Sequence, residues 1–81
     1  MLAEWTVYIL KCNDESHYVG CTENFENRLN KHSKGLVIST KYRLPVTPIT
    51  KIVFNDKYKA YFFEKYLKSG SGRAFMNKRL I

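Results

Sequence analysis

The chain has 81 residues, a formal net charge of +7 and an aromatic content of 15%. This length supports one hydrophobic core, so we expect a single domain over residues 1–81. Two cysteines without several spaced histidines give neither a disulfide framework nor a structural zinc site, and we expect both to be reduced. No membrane-spanning apolar run or secretory leader is evident, which predicts a soluble cytoplasmic protein with no membrane partner.

Two short strands joined by a turn are predicted near the start of the chain. Residues 5–10 and 17–22 alternate aromatic and β-branched side chains, and the residues between them are turn formers. Each arm carries a tyrosine in mid-strand, Tyr8 and Tyr18, and Gly20 follows the second one. A mid-strand glycine often marks the close approach of a ligand or another backbone. A strand tyrosine taken alone, however, is more often part of the core rim.

The first helix is predicted over residues 25–33. Asn24 precedes it as an N-cap, and Gly35 follows its last turn as a left-handed cap. Helical spacing places Arg28 and His32 on the stripe that otherwise faces the core. Either these groups edge the stripe and reach water, or this flank of the helix borders a cleft beside the hairpin.

A long loop and a third strand come next. Residues 36–48 contain both prolines and the basic cluster Lys41, Tyr42 and Arg43. Long loops in small domains are often functional. Residues 49–55 alternate in the period of a strand and complete a predicted three-stranded sheet.

A second helix is predicted over residues 57–68 and a short last helix over residues 73–80, and we expect the glycines between them to end the second helix. The apolar stripe of the second helix contains a carboxylate, Glu64. A carboxylate in that position is costly unless it is paired or bound to a metal. The alternative is a surface pair with Lys68 one turn later, worth about a few tenths of a kcal/mol, which the stripe position disfavours.

The positive charge is unevenly distributed. Residues 1–26 hold five acids and one base, residues 27–55 hold six bases and no acid, and five more bases with no acid follow Glu64. Unbalanced positive charge is typical of proteins that bind polyanions. The alternative is a solvated basic surface that only aids solubility.

Taken together, these residues resemble the GIY-YIG nuclease superfamily, and specifically its small stand-alone members. The resemblance covers nearly the whole chain and is carried by Val7-Tyr8-Ile9, Tyr18-Val19-Gly20, Arg28, His32, residues 39–45, Glu64 and residues 67–73. It implies an α+β fold, in which a three-stranded antiparallel β-sheet is flanked by about three helices.

The resemblance also implies metal-dependent cleavage of a phosphodiester bond in DNA. By this resemblance, Glu64 corresponds to the single carboxylate ligand of Mg²⁺ or another divalent cation such as Mn²⁺. Tyr8 and Tyr18 correspond to the pair that positions and deprotonates the attacking water. Arg28 corresponds to the group that holds a phosphoryl oxygen, and His32 lies on the same rim.

Further residues are expected to contact DNA: Lys31, Lys41, Tyr42, Arg43, Lys68, Arg73 and Asn77. Many relatives have an asparagine on the last helix that orients the phosphate, and Asn77 lies suitably late in the chain. Val7 replaces the first glycine of the family's name. Better-known relatives carry a separate DNA-specificity domain, which we do not expect here, so a protein partner is expected to supply specificity.

Three functions are consistent with these sequence features. The leading hypothesis is a structure-selective or weakly specific DNA endonuclease in repair or recombination. The second is a DNA-binding or partner-docking module that keeps the nuclease fold but cleaves poorly. The third, a basic RNA-associated domain, would show the stacking aromatics of an RNA-binding module, and the sequence contains no such pattern.

A shared site also constrains the sheet. If both tyrosines serve one site, Tyr8 pairs with Gly20 and Leu10 pairs with Tyr18, which leaves a three-residue turn at residues 13–15. We also expect the helices that carry the arginine and the glutamate to border the sheet face that displays the tyrosines.

Overall fold

The computed structural model describes residues 4–81, so the first three residues of the predicted domain lie outside the described range. The elements are β1 (Trp5–Lys11), β2 (His17–Thr22), α1 (Phe25–Ser33), β3 (Thr47–Phe54), α2 (Lys57–Leu67) and α3 (Gly70–Arg79). The strands form one antiparallel sheet in the order β2-β1-β3, which confirms the predicted α+β fold. In the described part of the chain no helix is long and apolar enough to cross a membrane.

The hairpin of β1 and β2 has the register that the sequence predicts. Tyr8 pairs with Gly20, and Leu10 pairs with Tyr18. Directly opposed residues project to the same face of a sheet, so both tyrosines share one face. On the other side of β1, Tyr8 pairs with Lys51 of β3, which therefore projects to this face as well.

The turn of the hairpin contains three residues, as predicted. The amide of Cys12 donates to the carbonyl of Ser16 at 2.8 Å, and Glu15 at the end of the turn has a φ of 69°. A left-handed last residue is usual in three-residue hairpin loops. The amide of Asn13 donates to the carbonyl of Arg43 at 2.9 Å, which ties the turn to the loop before β3.

Different helices cover the two faces of the sheet. The main core lies on one face and joins the hairpin to α2 and α3 through Val7, Ile9, Val19, Ala60, Leu67 and Met76. The other face displays Tyr8, whose ring packs edge-on against Phe25 and His32 of α1. The expectation that both site-bearing helices border the tyrosine face is therefore wrong for α2, because its apolar stripe fills the opposite face.

Local signals account for most element ends. The side chain of Asn24 caps α1 by accepting from the amide of Asn27, and Gly35 adopts a φ of 74° just after this helix. β3 begins at Thr47, two residues before the predicted start at residue 49, and includes Pro48. A proline fits here because β3 is an edge strand, where a missing N–H breaks no ladder bond.

The start of α3 differs from the prediction. The helix begins at Gly70 rather than at residue 73, because the hydroxyl of Ser69 caps it by accepting from the amide of Gly72 at 3.2 Å. A Cβ on Gly72 would overlap the carbonyl of Tyr66 at the end of α2. This glycine therefore permits close packing of two helices instead of ending one.

Candidate active site

Tyr8 occupies the centre of the candidate site. Its side chain is 1% exposed, and its hydroxyl lies 2.9 Å from Nε2 of His32. Gly20 lies directly across from it, and any Cβ there would overlap the Tyr8 ring and hydroxyl. The tyrosine on one strand thus explains the glycine on the next, because only a residue without a side chain leaves room for this ring.

His32 continues the contact into a buried chain of hydrogen-bonding groups. The residue is fully buried, and its Nδ1 lies 2.7 Å from Oγ1 of Thr40. Burial and the nearby charge of Arg28 lower the pKa of His32, so the neutral imidazole is favoured. A neutral imidazole has one donor and one acceptor, and here both nitrogens are engaged. The alternative that His32 edges the stripe and reaches water is therefore wrong.

Thr40 is the residue of this hydrogen-bonded series whose role the sequence did not reveal. The sequence places Thr40 in the loop and among the residues that carry the family resemblance but gives it no role, yet it is fully buried. One signal could have identified it. A histidine on an inward stripe needs two partners, and residues 39 and 40 supply the nearest hydroxyls of the following loop.

The hydrogen bond between Thr40 and His32 gives a testable stability effect. Thr40→Val keeps the shape of the side chain and leaves Nδ1 of His32 buried without a partner, which costs about 1–3 kcal/mol. We expect urea unfolding to show this loss, with Thr47→Val at the exposed start of β3 as the matched control. Equal unfolding midpoints for the two variants would contradict a stabilising role for the bond.

Arg28 lies beside both tyrosine hydroxyls. Interaction with the hydroxyl of Tyr8, and less strongly with that of Tyr18, raises the pKa of the Arg28 guanidinium. Burial raises the pKa of Tyr8 to about 12, and Arg28 opposes this increase without cancelling it. In the free protein Tyr8 is therefore a neutral phenol at physiological pH.

Tyr18 lies nearer the surface than Tyr8. Its ring is partly exposed, and its centroid lies 6.2 Å from that of Tyr8 and 5.0 Å from that of His32. The structure thus brings together four of the predicted site residues on one face: two tyrosines, an arginine and a histidine. Tyr8 and His32 lie inside, whereas Tyr18 and Arg28 lie towards solvent.

Glu64 approaches this group from the other side of the sheet. Its negative charge adds to the increase in the pKa of Tyr8, and it also raises the pKa of Cys21, after the larger effect of burial. Since Cys21 belongs to the edge strand β2, the carboxylate lies near that edge. Cys21 and Cys12 are both free thiols, as expected.

The carboxylate of Glu64 is also paired within its own helix. Its Oε2 accepts from Nζ of Lys68 at 3.1 Å, and the Glu64 side chain is only 15% exposed. The pair with Lys68 that the sequence analysis disfavoured is therefore present. The inward position and the ion pair coexist, because the long Lys68 side chain reaches back over one helical turn.

The Glu64 carboxylate at this edge could bind a divalent cation such as Mg²⁺. Among residues 4–81 no three His, Cys, Asp or Glu side chains converge, so the described structure offers no closed protein cage. Mg²⁺ is usually held by one or two carboxylates, with water and substrate phosphate completing its coordination. A single, partly exposed carboxylate such as Glu64 fits that pattern.

The residues expected to contact DNA divide into two groups. Six of them are exposed, namely Lys31, Lys41, Tyr42, Lys68, Arg73 and Asn77. Nζ of Lys41 lies 5.5 Å from the ring centroid of Tyr42. Arg43 instead makes internal contacts, since its Nη1 donates to the hydroxyl of Ser16 at 2.7 Å. Its guanidinium also donates to the carbonyl of Ser39 and so holds the loop against the hairpin turn.

Lys51, which the sequence places on the third strand among the predicted basic residues, lies on the tyrosine face. Its register with Tyr8 fixes this placement, and its Nζ lies 4.9 Å from the ring centroid of Phe25. The predicted alternation of β3 could have identified it once the pairing with β1 was known. The exposed Lys51 adds positive charge to the face of the sheet that displays Tyr8.

Three antiparallel strands that present paired tyrosines to an arginine-bearing helix define a nuclease-like catalytic fold. Residues 4–79 match the family model described as the GIY-YIG catalytic domain. The chain belongs to the GIY-YIG family.

The chain is also similar to UPF0213 proteins. The chain is 43% identical over 63 residues to the UPF0213 protein CPE1444 of Clostridium perfringens, covering 76% of this chain and 68% of the relative. It is 38% identical over 71 residues to the UPF0213 protein SH2523 of Staphylococcus haemolyticus, covering 86% and 87%. The solution NMR structure of the UPF0213 protein BH0048 of Bacillus halodurans is similar, with a TM-score of 0.59 and 30% identity over 93% of this chain and 83% of that one.

Proposed function

We propose that this protein is a metal-dependent endonuclease that hydrolyses phosphodiester bonds in DNA. The observation that carries the proposal is the hydrogen-bonded series of Tyr8, His32 and Thr40 beneath the guanidinium of Arg28. A buried structural tyrosine would need one hydrogen-bond partner for its hydroxyl, but it would not also need a cation beside that hydroxyl. Both features are useful for moving a proton next to a phosphate.

The buried series provides a route for the proton of the attacking water. Tyr18, nearer the surface, orients the water, and the oxygen of Tyr8 accepts its proton. The hydroxyl proton of Tyr8 passes to Nε2 of His32, 2.9 Å away, while Nδ1–H of His32 donates to Thr40. With a pKa of about 12, Tyr8 cannot act as a preformed phenolate at neutral pH, so a proton acceptor behind it is what makes it useful as a base.

The remaining residues act on the phosphate. Arg28 donates to a non-bridging phosphoryl oxygen, where negative charge grows as the water attacks. Glu64 would hold a divalent cation, Mg²⁺ or Mn²⁺, which when bound polarises the scissile phosphate and stabilises the leaving oxygen. Lys68 donates to Glu64 at 3.1 Å, so its positive charge lies beside the carboxylate that would hold the metal.

A second candidate function is a binding module that keeps the fold but cleaves poorly. The observation that favours it is the Glu64–Lys68 pair at 3.1 Å, because a purely structural carboxylate would make the same contact. Incubating the protein with labelled flaps, forks, junctions and plain duplexes, with and without Mg²⁺, distinguishes the two functions. We expect Mg²⁺-dependent cleavage that favours branched DNA, consistent with a role in repair or recombination. Binding without Mg²⁺ and no cleavage of any substrate would support the binding module.

DNA affinity is expected to fall steeply with salt. Lys31, Lys41 and Lys51 are exposed cations, and each phosphate contact that a cation makes releases a counterion. Fluorescence anisotropy across a salt series measures the slope. Lys41→Gln should lower its magnitude by about 0.9. An affinity that hardly changes between low and moderate salt would contradict phosphate binding by this surface.

A further inference from the structure

A cleft of about 380 Å³ lies beside the candidate active site, between the start of β2 and helices α2 and α3. Its polar lining comes from His17, Tyr18, Lys68 and Arg73, and its apolar lining includes Val19 and Leu67. The volume lies within the roughly 300–1,000 Å³ of small-ligand sites. The cleft is therefore large enough for a ligand of nucleotide size.

The charge of the lining selects an anion. Lys68 and Arg73 contribute two positive charges, and none of the residues that line the cleft is a carboxylate. Lys68 also pairs with Glu64 at 3.1 Å, so Arg73 supplies the excess positive charge of the cleft. The cations can bind a phosphate, and the apolar wall can contact an organic group attached to it. A phosphate ester therefore matches this lining better than an inorganic ion does.

His17 provides an independent sign that something occupies this cleft. Its Nε2 is buried and has no hydrogen-bond partner within the described residues. Buried polar atoms nearly always have a partner, and an unpaired one destabilises the folded protein. Since His17 lines the cleft, a bound phosphate oxygen could accept from Nε2–H and remove this cost.

The cleft is also continuous with the site that would cleave DNA. Tyr18 belongs to both, and Lys68 lines the cleft while donating to Glu64. A ligand in the cleft would therefore lie next to the scissile phosphate. In a DNA strand the group in that position is the neighbouring nucleotide.

We propose that this cleft binds the nucleotide adjacent to the scissile phosphate, with its phosphate on His17, Lys68 and Arg73 and its sugar against Val19 and Leu67. The identity of the substrate strand rests on the proposed nuclease function, whereas the affinity of the cleft for a nucleotide does not. His17 is then a substrate-positioning residue at the edge of the hairpin.

Isotope-edited NMR of the metal-free protein tests the cleft without any cleavage reaction. The probes are thymidine 5′-monophosphate, thymidine and inorganic phosphate. We expect the monophosphate to shift the imidazole Nε2 of His17 and the backbone amide of Arg73. Thymidine should cause no shifts, and inorganic phosphate should bind the same groups more weakly. Shifts confined to other parts of the molecule, or equal binding of thymidine, would overturn the proposal.

Three variants separate a binding role of His17 from a structural one. His17→Leu and Arg73→Gln should each weaken monophosphate binding by about tenfold, the effect of losing one charge-assisted hydrogen bond. His17→Gln, which keeps a donor near the position of Nε2, should retain most of the affinity. Lys59→Gln on the exposed part of α2 is the charge-matched control and should bind like the parent.

Two further readouts make the outcome unambiguous. His17→Leu should unfold at the same temperature as the parent or a higher one, because it removes an unpaired buried nitrogen. A large loss of stability would mean that His17 is structural and would overturn its positioning role.

If the monophosphate binds but no DNA is cleaved, the nuclease function fails alone. If DNA is cleaved and His17→Leu leaves KM unchanged, the cleft proposal fails alone.

Discussion

Glu64→Gln is expected to reduce Mg²⁺-dependent DNA cleavage by several orders of magnitude while leaving DNA affinity at least as high as that of the parent protein. The substitution keeps the size of the side chain and removes its charge. A metal-binding carboxylate acts mainly in the transition state, where charge on the phosphoryl group and leaving oxygen grows. Its loss should therefore lower the rate rather than the affinity, because a negative charge facing phosphate is also removed.

Stability separates this result from unfolding. Loss of the ion pair with Lys68, whose side chain is 51% exposed, should cost at most about 1 kcal/mol because solvent screens the pair. Glu23→Gln, which removes an exposed acid between β2 and α1, is the matched control and should cleave like the parent. If Glu64→Gln cleaves as fast as the parent, Glu64 has a structural role and the ion pair is its function.

Arg28→Ala should give a different pattern. Arg28 can contact the phosphate both before and during the reaction, so we expect losses in rate and in DNA affinity together. Measuring the rate and the affinity for both variants distinguishes a residue that acts only on the transition state from one that also binds the ground state. Identical patterns for the two variants would contradict the separate roles proposed here.

The hairpin was predictable because short-range rules determine it. Strand alternation and turn chemistry together fix which residues share a face, and a slip of one residue would have separated Tyr8 from Tyr18. The same logic identified Gly20 as a place of close approach. What approaches it is the ring of Tyr8 itself, which the pattern alone did not reveal.

The assignment of helices to sheet faces was not predictable in the same way. Both faces of the hairpin are apolar enough to accept a helix, and the stripes of α1 and α2 both mix apolar and ionisable residues. Periodicity gives the stripe of each helix but not the face of the sheet against which it packs. As a result, Glu64 was placed correctly on an inward stripe but on the wrong side of the sheet.

The partners of buried polar groups were also beyond the sequence pattern. His32 was recognised as an inward polar residue, yet its second partner, Thr40, lies in an irregular loop without a period. Loop residues are positioned by tertiary contacts such as those of Arg43 with Ser16 and Ser39. Such contacts leave no regular spacing in the sequence, so the sequence offers Ser39 and Thr40 as candidate partners but does not decide between them.

Tyr8→Phe is expected to lower cleavage by about 10²–10⁴-fold, the usual contribution of a general acid or base. The ring continues to fill the space opposite Gly20, so the fold should persist. The variant leaves Nε2 of His32 buried without its partner, which should cost about 1–3 kcal/mol at neutral pH. Urea unfolding and cleavage of a branched substrate measure the two effects. Tyr58→Phe, at an exposed tyrosine of α2, is the control for loss of a hydroxyl.

Alkaline pH provides a second readout of the same hydroxyl. Folding raises the pKa of Tyr8 from 10.0 to about 12, so its contribution to stability is fully present below pH 10 and is lost as the pH rises towards 12. The free energy of unfolding of the parent should therefore fall through this range by an amount that Tyr8→Phe does not lose. The difference in free energy of unfolding between the two proteins should narrow. A gap that stays constant up to pH 12 would show that the Tyr8 hydroxyl titrates normally. Cleavage by Tyr8→Phe at the parental rate would exclude Tyr8 from the proton route and leave Tyr18 as the residue that accepts the proton of water.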